Sequence, residues 1–357
     1  MGDCKIASRR KGREQEIMTS LMLAEALSAP AAVARFLDAD AGAWAGFGGR
    51  LRAADPPAAI TLARGSSDHA ASYLAYLLTA RLGRPVASLA PSLVTLSHAP
   101  LRARGLLAVG ISQSGQSPDL VESLAALRRA GAITAALVND IASPLAAEAE
   151  WRFGLEAGPE RAVAATKSCL ASLAAAARLV GTWQDDGRLL DHLRALPARL
   201  EAAAREDWRA AIPPLAAASR AIVVSRGVGL AIAAEAALKL KETSGLQAEA
   251  FSGAELRHGP MALIGPGETV LVLAMRGPAL AGLVSLAGEL RARGATVVLA
   301  APGEVAGREL TMTETGDPDL DPLAALQSFY SLAVAVAEAR GMDPDAPPNL
   351  TKVTRTV

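Results

Sequence analysis

The chain has 357 residues, of which 51% are hydrophobic and only 3% aromatic. This length and apolar content suffice for two ordinary domains, each with its own core, and they exclude intrinsic disorder for most of the chain. Lysine plus arginine and aspartate plus glutamate both number 36, so the charge balance favours neither nucleic acid nor an anionic membrane surface as partner, and a small-molecule ligand is expected.

The cysteines, histidines and apolar runs narrow the class further. Cys4 and Cys169 lie far apart, which gives neither a disulfide framework nor the spacing of a zinc site and is typical of a reducing cytoplasm. The four histidines are too scattered to indicate a metal. Ala-rich runs such as residues 168–180 and 323–337 are shorter than a bilayer span and predict buried helices.

The chain begins with a basic stretch that predicts no structure of its own. Residues 1–20 lack the apolar run and the cleavage site of a secretory signal, so they are interpreted as an N-terminal extension. A regular helical pattern follows Met18, and residues 21–47 are expected to form a helical segment.

Two parts of the chain repeat the same pattern. Residues 59–78 and residues 221–240 each predict a short strand, an Arg-Gly turn and an Ala-rich helix. Arg64 and Arg226 differ by 162 positions (226 − 64), and a later pair of glycines, at positions 131 and 294, differs by 163 (294 − 131). An offset this constant indicates a duplication.

Strands that alternate with helices of this length predict the fold class α/β, with two tandem, doubly wound parallel sheets of the flavodoxin-like type. The expected boundaries are residues 48–185 for the first domain, 186–214 for a connecting helix, 215–342 for the second domain and 343–357 for a C-terminal tail.

The stretch GISQSGQSPDL, residues 110–120, lies between an apolar run and a helical pattern. Ligands of parallel sheets bind beyond the carboxyl ends of the strands, and backbone N–H groups at a helix N-terminus favour an anion. The hydroxyls of Ser112, Ser114 and Ser117 add donors without charge, so a phosphate monoester is expected here. The alternative is that Ser117 only caps the helix, which would leave Ser112, Gln113 and Ser114 without a role. The corresponding loop of the second half has no serine cluster, so only the first half is expected to bind phosphate.

Nucleotide-binding patterns fit less well. RGVGLA, residues 226–231, supplies two glycines of a dinucleotide fingerprint, but Ile232 stands at the third glycine position and no acidic residue follows about 20 residues later. No Walker lysine pattern is present in the sequence.

SQSGQS, together with RGSS, PERAVAATK, EAALKLKE, GAELRHGP and NLTK in their order along the chain, resembles the tandem sugar-isomerase (SIS) proteins. The resemblance covers nearly everything after Met18 and is strongest to the isomerase half of glucosamine-6-phosphate synthase and to the type II glucosamine-6-phosphate deaminases. It implies an enzyme that acts on a hexosamine or hexose 6-phosphate, without a metal or organic cofactor, as a homodimer. No cysteine follows the initiator methionine, so glutamine hydrolysis is not expected.

Glu235, Lys239 and Glu242 lie at i, i+4 and i+7, on one stripe of a helix. A surface ion pair worth a few tenths of a kcal/mol is the alternative, but the neighbouring residues are apolar, and this arginine-rich chain has only six lysines. The resemblance implies that Glu242 is the base that moves a proton between carbon 1 and carbon 2 of an opened sugar phosphate. It also implies a catalytic role for Lys239 and a binding role for Glu235.

Two further catalytic residues are implied by the resemblance alone. His258, in GAELRHGP, is similar to the histidine that opens the sugar ring, and in the family this histidine reaches the active site of the neighbouring subunit. An ordinary surface histidine is the alternative. Lys352, in NLTK, is implied to lie near the sugar carbonyl on a tail laid over the site, and whether it forms a Schiff base stays open. On composition alone this Pro-rich tail would be frayed.

The binding residues that the resemblance implies are Gly65, Ser66, Ser67, Ser112, Gln113, Ser114, Ser117, Val163, Ala165, Glu235 and Thr351. Ala165 stands where the family usually has a serine, so sugar selectivity is expected to shift. The function expected from all this is deamination of glucosamine 6-phosphate to fructose 6-phosphate and ammonia. The alternatives are the same fold run in the amination direction with external ammonia, a galactosamine-6-phosphate deaminase, and a sugar-phosphate-binding regulatory module.

Overall fold

The computed structural model describes residues 20–352 as an α/β protein with two parallel sheets. The expected N-terminal extension lies outside the described residues except for Ser20, as does the tail after Lys352. The helices are α1 Leu21–Leu27, α2 Ala29–Asp38, α3 Ala41–Ala54, α4 Ser66–Leu82, α5 Ser92–Thr95, α6 Pro118–Arg129, α7 Pro144–Ala147, α8 Lys167–Gln184, α9 Gly187–Ala203, α10 Ile212–Ala217, α11 Leu230–Ser244, α12 Leu280–Ala292 and α13 Asp321–Ala339. The strands are β1 Ala59–Leu62, β2 Val86–Ser88, β3 Leu107–Ser112, β4 Ile133–Val138, β5 Trp151–Gly154, β6 Arg220–Ser225, β7 Gln247–Ser252, β8 Thr269–Leu273, β9 Thr296–Ala301 and β10 Leu310–Thr311. Short 3-10 turns cover Arg209–Ala211, Gly227–Gly229, Glu255–His258 and Pro260–Leu263.

Both sheets have the same strand order. The first is β2-β1-β3-β4-β5, and the second is β10-β9-β8-β6-β7, which is the same order counted from its other edge. All of the strand pairs are parallel. This is the flavodoxin-like order 2-1-3-4-5, so the predicted fold class is confirmed for both halves.

The strand registers repeat with the offset seen in the sequence. Ala59 pairs with Leu107 in the first sheet and Ala221 pairs with Thr269 in the second, and both members differ by 162 (221 − 59 and 269 − 107). At the fourth strand of each sheet the paired positions are 133 and 296, which differ by 163 (296 − 133). The second half therefore has one more residue than the first between its third and fourth strands.

The largest apolar cluster joins the two halves. It contains helices α4 and α8 of the first half, α11 and α13 of the second, and one face of each sheet. Residues 174–177, a run of four alanines in α8, are fully buried, because small side chains let neighbouring helices approach closely. Two smaller clusters cover the outer faces of the sheets. The sequence predicts a separate core for each half, but the inner cores merge because α4 packs on α11.

Helix α13 lies in this merged core. Among residues 20–352 it is the helix long and apolar enough to cross a bilayer by length and composition. However, 78% of its most apolar stretch is buried inside the protein, as in the core helix of a globular domain. The predicted buried run at residues 323–337 lies in this helix.

Gly115 sets the shape of the loop between β3 and α6. Its φ is +62°, a conformation that side chains with a Cβ rarely adopt, and a Cβ at this position would lie 2.2 Å from Ser143 Oγ. The N–H of Leu145 donates to the Gly115 carbonyl at 3.1 Å and holds the loop against α7. Glycine is therefore required where the serine-rich loop turns.

Gly115→Ala is expected to lower the free energy of unfolding by about 1–2 kcal/mol for the left-handed backbone and by about 1–3 kcal/mol more for the overlap with Ser143. Gly83→Ala is the matched control, because Gly83 also has a positive φ, +65°, but has open space around its Cβ position. Chemical denaturation measures both variants. Equal losses in the two variants would show that the contact with Ser143 does not matter.

Candidate active site

A cavity of about 370 Å³ lies at the carboxyl ends of β1 and β3, where the strand order of the first sheet reverses. Ligands of open parallel sheets bind at this position. The cavity is formed by the loops after β1 and β3, the segment before α8, one side chain of α11 and the C-terminal tail. The lining residues are Arg64, Gly65, Ser66, Ser67, Ser112, Gln113, Ser114, Ser117, Leu120, Val163, Ala165, Glu242, Leu350, Thr351 and Lys352.

The serine loop presents hydroxyl groups to the cavity. Ser112 Oγ accepts a hydrogen bond from the N–H of Gly115 at 3.0 Å, and Ser114 Oγ accepts one from the N–H of Gln116 at 3.3 Å. A hydroxyl that accepts from the backbone keeps its own proton available as a donor. Ser117 occupies the N-cap position of α6, as the capping alternative expects, but its side chain makes no capping hydrogen bond. All three hydroxyls can therefore donate to an anion in the cavity.

Three helices begin at the cavity wall. They are α4, α6 and α8, with 17, 12 and 18 residues, and each N-terminus adds partial positive charge. Arg64 and Lys352 add full positive charges to the lining, against the single carboxylate of Glu242. The electrostatic field of the cavity therefore favours an anion.

Glu242 reaches the cavity from α11 and accepts a hydrogen bond from Lys239, which lies one turn earlier. Lys239 Nζ also lies 3.4 Å from Glu235 Oε1, and both of these side chains are fully buried, which excludes an ordinary surface ion pair. Burial alone would lower the pKa of Lys239, but Glu235 and Glu242 outweigh it and raise that pKa above its usual value. A permanent positive charge therefore stands behind Glu242.

From Glu235 the chain of contacts continues into the first half. Glu235 Oε2 lies 2.7 Å from His69 Nδ1, and Glu235 Oε1 accepts a hydrogen bond from the Tyr330 hydroxyl at 3.4 Å. Burial alone would raise the pKa of Glu235, but Lys239, His69 and hydrogen bonding from Ser66 together lower it below its usual value. Since His69 and Ser66 belong to α4, these contacts connect the two halves directly at the cavity.

Lys352 closes the cavity from the tail. Its ammonium lies 3.2 Å from Oε2 of Glu160, a buried carboxylate that precedes α8. Glu160 also accepts the N–H of Thr166 at 3.0 Å, the N–H of Ser168 at 3.1 Å and the Ser168 hydroxyl at 2.5 Å. Burial alone would raise the pKa of Glu160, but Lys352 and the hydrogen bonds from Ser168 and Thr166 lower it below its usual value.

Most of the predicted site residues meet in this cavity. Those that line it are Gly65, Ser66, Ser67, Ser112, Gln113, Ser114, Ser117, Val163, Ala165, Glu242, Thr351 and Lys352. Glu235 and Lys239 are buried behind Glu242 and Ser66. His258 does not line the cavity of its own chain: it ends the 3-10 turn Glu255–His258 and is exposed.

Three polar residues of this arrangement, Arg64, Glu160 and His69, are not among the site residues expected from the sequence. Arg64 stands on the cavity wall, where its guanidinium forms an ion pair with the buried Asp119 at 2.8 Å. Arg64 and Glu160 lie inside the motifs RGSS and PERAVAATK. His69 follows Ser66 by three positions, a spacing that puts both on one face of α4 and could have identified it.

The described residues offer no metal site. Among residues 20–352, no group of three or more His, Cys, Asp or Glu side chains is arranged to hold a metal ion. Cys169 is buried, and its Sγ lies 3.7 Å from the carbonyl oxygen of Ser66. The reactive groups at the cavity are carboxylate, amine and hydroxyl side chains.

A second cavity, of about 490 Å³, occupies the corresponding place in the second half. At the three positions that correspond to Ser66, Ser114 and Ser117 (66 + 162, 114 + 162 and 117 + 162) it carries Val228, Arg276 and Ala279. Arg276 is held by ion pairs with Asp321 at 2.7 Å and Glu314 at 3.1 Å. Because hydroxyl donors are replaced and carboxylates surround the arginine, this cavity is less suited to a phosphate ester than the first.

Glu160→Gln is expected to lower the free energy of unfolding at pH 7 by about 1–3 kcal/mol, because it removes a charged hydrogen-bond acceptor. The lowered pKa of Glu160 stabilises the fold above the ordinary value of 4.5, and this contribution is lost as the pH falls below it. The variant should therefore lose less stability than the wild type on acidification from pH 6 to pH 3. Urea denaturation at several pH values measures this, with the exposed Glu122→Gln as control. An unchanged acid dependence would refute the role given to Glu160.

Both halves of the chain match the same protein family. The SIS domain matches residues 54–180 and 214–301. A glutamine–fructose-6-phosphate aminotransferase [isomerizing] from Aeropyrum pernix is 38% identical over 264 residues, which cover 68% of this chain and 42% of the relative. The chain spans about half the length of the curated relatives it matches.

Solved structures agree with this relationship. A candidate phosphosugar isomerase from Silicibacter pomeroyi superposes with a TM-score of 0.87 and 41% identity, covering 92% of this chain and 100% of that one. The glucosamine-6-phosphate deaminase of Thermotoga maritima superposes with a TM-score of 0.76 over 94% of this chain and 100% of its own, and at 22% identity it shows a shared fold. The chain therefore belongs to the SIS domain family and carries two SIS domains in tandem.

Proposed function

We propose that the protein is an amino-sugar-phosphate deaminase that converts glucosamine 6-phosphate and water into fructose 6-phosphate and ammonia. The observation that carries this proposal is a single cavity that is lined both by the hydroxyl groups of the serine loop and by the carboxylate of Glu242, which the buried Lys239 contacts. A cavity of about 370 Å³ suits a ligand of this size.

The phosphate occupies the serine loop. The hydroxyls of Ser112, Ser114 and Ser117 and the N-terminus of α6 bind the ester dianion without a neutralising lysine at that end. Carbon 6 of the sugar is then fixed at the loop, and carbons 1 and 2 extend toward Glu242 and the tail. Binding energy from the phosphate thereby orients the reacting end of the molecule.

Glu242 performs the isomerisation. Once the ring is open, carbon 1 is an aldehyde and carbon 2 carries the amine. Glu242 takes the proton from carbon 2 and returns it to carbon 1, while the carbonyl oxygen gains one proton and the amine loses one, which leaves an imine at carbon 2 and a hydroxymethyl group at carbon 1. Water adds to the imine, and the carbon–nitrogen bond breaks to release ammonia and the ketose. Lys239 holds Glu242 in position throughout.

The tail and the segment before α8 contact the sugar. The Lys352 ammonium serves as a hydrogen-bond donor near the carbonyl oxygen, and Glu160 sets its position. Ala165 lines the cavity where the family usually has a serine. The cavity wall therefore has one hydroxyl fewer for hydrogen bonds with the sugar, and this favours a sugar that makes fewer polar contacts with this wall. The galactosamine epimer and the amination reaction with free ammonia use the same site and are the alternative reactions.

His258 acts in the cavity of a partner subunit. It is exposed and does not line its own cavity, so an acid–base role requires a second copy of the chain. We infer a homodimer with two shared sites, in which His258 of one subunit opens the sugar ring bound to the other.

A module that only binds sugar phosphates is the alternative from another functional class. Such a module needs the serine loop but has no use for a carboxylate held by a buried lysine. Lys239 and Glu235 are fully buried charged groups, and removing them from water costs free energy. A protein that only binds its ligand does not require this cost. The arrangement therefore favours an enzyme.

Incubation of the purified protein with glucosamine 6-phosphate should release ammonia and fructose 6-phosphate in equal amounts. Glu242→Gln should still bind the substrate but lower kcat by about 100-fold or more, because the proton acceptor is lost. The exposed Glu338→Gln is the control and should keep full activity. Binding without product from any hexosamine 6-phosphate would favour the regulatory module, and an active Glu242→Gln variant would reject the proposed base.

Subunit mixing tests the shared site. Glu242→Gln and His258→Ala should each be inactive alone, but a mixed dimer would contain one site with both changes and one site with neither. After random subunit exchange, about half of the dimers are mixed, so roughly a quarter of wild-type activity should return. If mixing restores no activity while mass spectrometry shows mixed dimers, His258 does not act across the interface.

A further inference from the structure

We propose that Arg64 binds the phosphate group directly, held in place by Asp119. This inference rests on the proposed phosphate site and assigns it a cationic residue beside the serine hydroxyls. Arg64 lies in the loop after β1 and lines the same cavity as Ser112, Ser114 and Ser117. Its side chain is 50% exposed, so its guanidinium is open to a ligand.

Hydrogen bonding leaves most of the guanidinium available. Nε and Nη2 of Arg64 both donate to one oxygen, Oδ2 of Asp119, at 3.2 and 2.8 Å. A guanidinium has five N–H groups, so the remaining ones can donate to an ester oxygen. The fork geometry of arginine matches phosphate oxygens particularly well.

Asp119 gives the arginine a rigid support. Its side chain is only 2% exposed, and its Oδ1 accepts the N–H of Leu120 at 2.8 Å in the first turn of α6. A buried carboxylate at this helix end would repel an ester dianion bound to the same helix. Arg64 compensates that charge, and of the two partners only Arg64 lines the cavity.

The second half has an arginine at the position of Arg64 but no carboxylate at the position of Asp119. Arg226 corresponds to Arg64 (64 + 162) and lines the second cavity, but the position that corresponds to Asp119 is Ala281 (119 + 162). Among the described residues no ion pair holds Arg226. An arginine at this position is thus common to both halves, whereas the carboxylate support and the serines belong to the first. Arg226 is therefore the matched control for Arg64.

Calorimetric titration of the full chain with fructose 6-phosphate tests the inference. R64Q should weaken binding at least tenfold and raise KM for glucosamine 6-phosphate with little change in kcat, whereas R226Q should bind like the wild type. The double variant R64Q/D119N distinguishes an Arg64 that contacts the phosphate from an Arg64 that only neutralises Asp119. If Arg64 contacts the ester, the double variant stays weak, since removing the aspartate charge does not replace the lost donors.

Two results would overturn the inference: wild-type affinity in R64Q, or recovery of wild-type affinity in R64Q/D119N, which would mean that Arg64 serves only to neutralise Asp119. A wild-type protein that does not bind fructose 6-phosphate at all would instead reject the proposed function, and this inference with it. Thermal melting confirms that each variant is folded.

Discussion

The arrangement of the site depends on Lys239, a fully buried ammonium group. A charge of this kind is stable in a protein interior only when opposite charges compensate it, and Glu235 and Glu242 do so from the same face of α11. Lys239 holds Glu242 at the cavity wall, and its other partner, Glu235, contacts His69 on α4. Removing one partner of such a buried pair typically lowers the free energy of unfolding by about 3–5 kcal/mol. Since Glu235 of the second half also contacts His69 of the first half, these charges help to hold the two halves together.

The two halves have the same strand order, but their loops carry different side chains. The first half retains a loop with Ser112, Ser114 and Ser117 at its switch point, and the second half carries apolar and arginine residues at the equivalent positions. The second half instead contributes Glu242, from a helix that packs on the first half. A single apolar cluster contains residues of both halves, so the parts of the chain that carry the serine loop and Glu242 share one core.

Local patterns of the sequence predict much of the fold. The offset of 162 between the halves recurs in the strand registers, because a duplicated sheet keeps its pairing when its length is kept. The serine loop follows from its place between a strand and a helix. Contacts between distant parts of the chain do not follow in this way. Nothing near Glu160 in the sequence indicates that a tail lysine 192 positions later will reach it.

The packing of the core and the position of His258 also depend on contacts between distant parts of the chain, which local sequence patterns do not predict. A separate core for each half is the natural expectation from two similar patterns, and only the packing of α4 on α11 shows that the cores merge. Exposure of His258 in its own chain is likewise a fact of tertiary structure that spacing does not contain. Sequence patterns therefore locate the loops of the site, while the partners of its charged groups depend on the folded chain.

The tail completes the site by a different principle from the serine loop. Asp345 accepts hydrogen bonds from the N–H groups of Leu21 and Met22, at 2.6 and 2.7 Å, and Lys352 is held by Glu160 at the other end. These anchors are polar and each contributes about 1–3 kcal/mol, and Pro347 is buried between them. The serine loop is held by packing instead, because Gly115 lies against the buried Ser143. One side of the cavity is therefore fixed by close packing within the first half, and the other side is fixed by charged groups that tie the end of the chain to Glu160 and to the start of α1.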